Sequence, residues 1–179
     1  MRYIPTPWRE HYVRNTVKAK GCALCEALRS GDERKSGILY RGTHHFIILN
    51  RYPYTTGHLM IAPYRHTAAF ERSSPAATAE MGELLKSTLR ILRAHYRPQG
   101  FNAGMNLGRS AGAGVAEHYH LHVIPRWTGD ANFLPLVSGT KVVTEDLETT
   151  FDRLEPLFEK ERKRLADRTR LKKNTTPSR

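Results

Sequence analysis

The stretch His118-Tyr119-His120-Leu121-His122-Val123-Ile124-Pro125 decides how this chain is read. Three histidines alternate with tyrosine, leucine and valine. On an extended strand successive side chains point to opposite faces, so the three imidazoles are expected on one side of a sheet. Residues two apart on a strand lie about 6.5–7 Å apart and the outer pair about 13 Å, too far for all three to hold one ion. The row is therefore expected to do three separate jobs, the plain alternative being a satisfied polar sheet face. Directly upstream, residues 108–114 (GRSAGAG) carry glycines at 108, 112 and 114. Glycine lets backbone N–H groups turn toward one anion without steric bulk, as in an anion-binding nest. An imidazole that is neutral near pH 7 can attack phosphorus, and the phosphoramidate formed can be displaced again.

Outward from the histidine row, residues 101–107 read as a strand before the glycine-rich loop. Residues 45–50 (HFIILN) and 57–62 (GHLMIA) read as two more strands, joined as a hairpin by turn residues 51–56. Pro63 ends the second. Ser74 followed by Pro75 signals a helix start, and Met81, Leu84, Leu85, Thr88, Leu92 and Tyr96 keep amphipathic helical spacing. A second helix is expected from Val143 to about Arg170, with Pro156 at a break or kink. The first 37 residues read as an irregular lead-in with a short helix near residues 24–29. Strands joined by tight turns with helices inserted between them argue an α+β fold with a mainly antiparallel sheet.

The 179 residues fit one domain, with a core over about 8–158 and a basic segment over 159–179. No apolar run approaches the roughly 18–20 residues of a membrane span. The amino end carries charges, prolines and aromatics where a signal peptide needs an apolar stretch, so the reading expects a cytoplasmic protein with no membrane partner. The net charge is +12, and the last 21 residues hold nine Lys or Arg against three acids. Such a balance favours anionic ligands, nucleotides or nucleic acid among them; a solvated helix end is the plainer reading of the tail. The cysteines are Cys22 and Cys25 alone, too few for a disulfide scaffold. Their spacing is half of a tetrahedral zinc site, a redox motif or chance, and no thioredoxin-like βαβ pattern surrounds them.

The histidine row resembles the motif of the histidine-triad (HIT) superfamily. Asn50-Arg51-Tyr52-Pro53 and Gly57-His58-Leu59-Met60-Ile61-Ala62-Pro63 resemble that family's first hairpin, in the right order and separation. Trp8-Arg9, Cys22-Ala23-Leu24-Cys25, Pro125-Arg126-Trp127, Gly129-Asp130 and Asn132-Phe133 are similar to the bacterial branch that includes diadenosine tetraphosphate phosphorylases. The resemblance implies a HIT-like fold, a homodimer, and chemistry at the α-phosphate of adenosine nucleotides or dinucleoside polyphosphates. It casts His120 as nucleophile and His122 as donor to the scissile phosphate or bridging oxygen. His58 and His118 complete the catalytic set. It assigns Asn50 to ribose, and Asn106 with the loop at Arg109, Ala113 and Gly114 to the phosphates. Val115 departs from the Ser or Thr that many members carry three residues before the first triad histidine. The resemblance also completes a structural zinc site from Cys22, Cys25, His66 and His118, with His44 and His45 as substitutes for His66. Zinc would hold the fold and take no part in catalysis.

The acceptor for the adenylyl group is expected to be inorganic phosphate, bound by the loop with Arg109 and Arg126. A hydrolase or adenosine phosphoramidase would use the same residues. A DNA or RNA deadenylase, or a nucleotide-binding module without activity, are the readings of a different class.

Overall fold

Short β-branched and aromatic segments pair into a five-stranded antiparallel sheet in this computed structural model, which describes residues 21–130 and 145–174. The strands are β1 (Ile38–Arg41), β2 (His45–Leu49), β3 (Leu59–Pro63), β4 (Gly100–Met105) and β5 (Leu121–Arg126). Their order across the sheet is β1-β2-β3-β5-β4, every neighbouring pair antiparallel. Two short helices, α1 (Ala23–Arg29) and α2 (Glu33–Ser36), precede the sheet. The long helix α3 (Pro75–Tyr96) crosses between β3 and β4, and α4 (Leu147–Asn174) closes the chain.

All five residues of β2 are buried, which requires cover on both faces. Ile47 and Leu49 join Leu59, Ile61, Leu121 and Val123 in a cluster completed by Leu84 and Leu92 of α3 and by Phe151, Leu154 and Phe158 of α4. Phe46 and Ile48 pack with Ala62 and with Leu24 of α1 on the other face. Burial of each large side chain is worth about 1.5–3 kcal/mol, so the two clusters are what hold the sheet between its helices. Along β5 burial alternates: Leu121, Val123 and Pro125 are buried while His122, Ile124 and Arg126 are half-buried. The apolar half of the alternation faces α3 and α4 and leaves the opposite face for chemistry.

Helix α3 starts where Ser74 accepts the Ala77 N–H at 3.2 Å and Pro75 occupies the first turn. Four features differ from the sequence reading. Strand β1, between Gly37 and Gly42, is an additional strand. β5 begins at Leu121, so His118 and His120 lie in the irregular segment leading into it. Helix α4 runs through Pro156 without ending. Packing also continues past Phe158: Glu161 is buried and accepts hydrogen bonds from Ser87 (2.7 Å) and Arg90 (2.8 Å) of α3 and from Arg164. The segments at Trp8-Arg9 and Asn132-Phe133, the expected start of the last helix at Val143 and the end of the basic tail lie outside the described residues.

Candidate active site and metal centre

The hairpin and β5 bring three histidines together. β3 pairs with β5 so that Met60 lies opposite His122 and Leu59 opposite Val123. His58, just before β3, then places Nε2 2.9 Å from His122 Nδ1. The His122 and His120 rings meet edge to face, with centroids 4.7 Å apart.

Hydrogen bonds fix which nitrogen of each ring carries a proton. The Tyr54 backbone N–H donates to His58 Nδ1 at 3.1 Å, so in the neutral ring the proton sits on Nε2. That N–H donates to His122 Nδ1, which leaves His122 with its own proton on Nε2 as an outward donor. His120 is set the other way. Its Nδ1–H donates to the His118 carbonyl at 2.9 Å, so Nε2 keeps a lone pair. One ring thus presents a lone pair and its neighbour presents an N–H. Burial holds His120 below the ordinary histidine value, against the opposing pull of the His118 carbonyl. Burial, and then the nearby His120, push His122 down to about 4. Both rings are neutral at pH 7.

The turn before His58 is built around it. Tyr54 stacks on His58 with centroids 4.9 Å apart and reaches within 6.3 Å of the His122 ring. Asn50 Oδ1 accepts the Tyr52 N–H at 2.9 Å, and Asn50 Nδ2 lies 3.3 Å from each ring nitrogen of His58. Gly57 has φ +74°, and a Cβ there would stand 3.1 Å from the Tyr96 ring. Glycine is therefore required both by conformation and by the close approach of α3. The contribution of Tyr54 escaped the sequence reading; an aromatic four residues before His58 in a tight turn was its only signal.

His118 goes to a different job. Its Nε2–H donates to the Pro63 carbonyl at 2.8 Å, leaving Nδ1 as a lone pair directed at Cys22 Sγ (3.3 Å) and Cys25 Sγ (3.6 Å). His66 Nδ1 lies 3.3 Å from Cys25 Sγ. These four atoms lie within 4.8 Å of one another. A tetrahedron with bonds of about 2.0–2.3 Å has edges of about 3.3–3.8 Å, so the set fits a zinc-sized ion. Burial, and then the adjoining Cys22, raise the Cys25 thiol, a preference that a central cation reverses. The carbonyl bond that fixes the His118 tautomer is the arrangement a ligating imidazole needs behind it. His45 takes no part: Glu80 and Tyr119 hold its two ring nitrogens.

The phosphate loop is less open than its glycines suggest. Gly108 and Gly112 take positive φ around a 3-10 turn at Arg109–Ala111. The N–H groups of Ala111, Gly112 and Ala113 turn back onto Gly108 and Arg109 carbonyls. Asn106 Nδ2 reaches the Gly112 carbonyl at 3.4 Å, and Arg109 and Gly112 are exposed while Ala113 and Gly114 are half-buried. Arg126, expected as an anion contact, is instead clamped by Asp130 through Nε and Nη2, both at 2.7 Å, and bonds Asn102 at 3.0 Å. Its charge is offset, and the i,i+4 spacing to Asp130 was the signal in the sequence.

The comparisons agree with this geometry. The HIT domain family model matches residues 32–129. A Mycobacterium tuberculosis protein named AP-4-A phosphorylase is 37% identical over 153 residues, spanning 81% of this chain and 78% of the relative. The crystal structure of a Zn-bound histidine triad family protein from Mycobacterium smegmatis superposes with TM-score 0.63 at 25% identity, over 80% of this chain and 96% of that one. The diadenosine triphosphate hydrolase of Plasmodium falciparum shares the fold, with TM-score 0.58 at 16% identity over 74% of this chain and 79% of that one. With the triad row, the hairpin before it and the sheet that joins them in place, the chain belongs to the HIT domain family.

Proposed function

We propose that this chain is a nucleotidyl-transferring enzyme that cleaves diadenosine tetraphosphate through an adenylyl group carried on His120. The observation that carries the proposal is the opposed pair of tautomers: a lone pair on His120 Nε2 beside an N–H on His122 Nε2. Neutral His120 attacks the α-phosphorus in line, the phosphorus–oxygen bond to the leaving polyphosphate breaks, and His122 donates a hydrogen bond to the oxygen that departs. His58 holds His122 in the donating tautomer. The acceptor then attacks the adenylyl-histidine from the opposite side and restores the lone pair. The two inversions give net retention at phosphorus. Asn50 serves the ribose, and Asn106, Arg109, Ala113 and Gly114 serve the phosphates.

Likeness to the AP-4-A phosphorylase supports inorganic phosphate as acceptor. Water is present at tens of molar, so phosphate wins only if it is held in position. The clamping of Arg126 by Asp130 favours the second reading, a hydrolase, because it leaves Arg109 as the loop's cation for that task. Product analysis separates the two. With millimolar phosphate a phosphorylase yields ADP plus ATP; a hydrolase attacking the same phosphorus yields AMP plus ATP. AMP persisting at saturating phosphate would replace the first reading with the second.

Zinc on Cys22, Cys25, His66 and His118 completes the proposal as a structural group. It would tie α1 to the segment after β3 and to the residue two before His120, and no step of the reaction passes through it. A homodimer and a cytoplasmic setting remain the expectations of the family resemblance; among the described residues no helix is long and apolar enough to cross a membrane.

A further inference from the structure

A cavity of about 260 Å³ opens between the start of β2, the residues following β3 and the amino end of α3. None of its lining residues belongs to the His58–His120–His122 cluster or to the Cys22 group. Two arginines, Arg65 and Arg72, stand on its wall, and neither guanidinium has a hydrogen-bond or ion-pair partner among the described residues. No carboxylate lines it.

The hydroxyls around it are short of acceptors in the same way. Ser74 Oγ accepts the Ala77 N–H, and Thr67 Oγ1 accepts the Ala69 N–H, so each still has its own O–H to donate. Their carbonyls are engaged: Thr67 O by the Tyr119 N–H at 2.8 Å, Ser74 O by the Thr78 N–H at 2.9 Å. The floor is rigid. Glu80 accepts N–H bonds from Thr43, His44 and His45 and faces His45 Nδ1 at 3.1 Å. His45 Nε2 therefore accepts the Tyr119 O–H at 3.3 Å, and Ser73 donates to the Tyr119 oxygen at 2.9 Å. The Glu80 carboxylate is thus engaged by backbone donors, while two arginines and two hydroxyl-bearing residues line the space. The first turn of α3, a 22-residue helix, adds the positive end of its dipole.

We propose that this cavity binds a phosphate group, as the free ion or as a compact phosphate monoester, at a site separate from the histidine row. Its volume lies just below the roughly 300–1,000 Å³ of usual small-molecule pockets, which limits the occupant to a small molecule. Arg65 and Arg72 supply charge, and Ser74 and Thr67 supply oriented donors.

The test is a titration of the ¹⁵N-labelled full chain followed by amide chemical shifts. Inorganic phosphate, ribose 5-phosphate and sodium chloride at matched ionic strength form three arms. The expected result is saturable shifts at Thr67, Ser73, Ser74 and Ala77, weakened at least tenfold by Arg72→Ala and by Arg65→Ala. The Arg72 side chain takes no part in the hydrogen bonds of the Cys and His group, so its substitution leaves that group in place. Tighter binding of the ester identifies a phosphorylated metabolite as occupant, and tighter binding of phosphate identifies the free ion. Shifts that are absent, that sodium chloride reproduces, or that persist unchanged in Arg72→Ala overturn the proposal.

Discussion

His58 Nε2 lies 2.9 Å from His122 Nδ1, and the direction of that hydrogen bond is set one step earlier by the Tyr54 N–H. The Tyr54 amide in a tight turn thereby determines, through His58, where the proton sits on a ring 64 residues beyond His58. Replacing His58 with Ala frees His122 to rotate and to change tautomer. We expect kcat to fall on the order of 10- to 100-fold, the usual cost of misplacing a reacting group by about 1 Å. KM should change less than kcat, because the loop is untouched and Asn50, though it loses its contact with His58, is still held by the Tyr52 N–H. Steady-state kinetics of the purified variant check this; a raised KM at unchanged kcat would show that His58 binds substrate instead.

The pH dependence follows from His122, held at about 4 by burial and by its neighbour His120. An unfolded histidine takes up its proton near 6.5. Between those values the unfolded chain binds more protons than the folded one, so stability is full above about 6.5 and falls as pH drops toward 4. The urea midpoint should decline across this window in the wild type and decline less in His122→Phe. The acid limb of kcat should likewise lie below 6.5, since His122 donates from the neutral ring. An acid limb at 7 or above would contradict the assignment.

Zinc is expected at one ion per chain in protein purified without added metal. Removing it by chelation, or making Cys22→Ser, should lower Tm markedly, since a structural zinc site contributes directly to folding. Activity at temperatures where the fold persists should survive. Freshly purified, reduced protein that is fully stable yet metal-free by elemental analysis would reject the site.

Glu161 marks how far α4 is needed. Its carboxyl is held down to about 2 by hydrogen bonds from Arg164 first, with Ser87 and Arg90 adding to them against burial. A chain ended after 165 should keep nucleotide turnover. One ended after 153 loses Leu154 and Phe158 from the core, at about 2–5 kcal/mol each, out of a usual margin of about 5–15 kcal/mol. That chain should fail to show cooperative unfolding by circular dichroism. If it unfolds cooperatively with the parent Tm, α4 is not part of the core.

Much of this was legible because the motifs are local. The hairpin around Gly57, the N-cap at Ser74 and the meeting of His120 with His122 each rest on neighbours within a few residues, although the strand itself begins only at Leu121. Strand β1 was not, since Ile38-Leu39-Tyr40-Arg41 is only four residues long, carries a register irregularity between Ile38 and Tyr40, and becomes a strand only by pairing with β2. The division of the row, His118 to the cysteines and His120 and His122 to each other, depends on α1 packing against the sheet. Spacing alone left it open. The inward turn of the Ala111, Gly112 and Ala113 amides was equally hidden, because glycine permits a nest without dictating one. The pairing of Arg126 with Asp130 was missed for a simpler reason: the partner was in plain view four residues on.

The covalent step is tested most directly by catching the adenylyl group on the enzyme. Diadenosine tetraphosphate is mixed with excess chain in phosphate-free buffer, quenched in alkali within the first turnover, digested and analysed by mass spectrometry. Alkali preserves a phosphoramidate, and withholding phosphate slows its removal if phosphate is the natural acceptor. The expected result is one adenylyl group on the peptide carrying His120, released as ADP when phosphate is added before the quench and absent from His120→Ala. ATP released in that first turnover with no adenylyl group on any peptide, or with the group on a histidine other than His120, would contradict it.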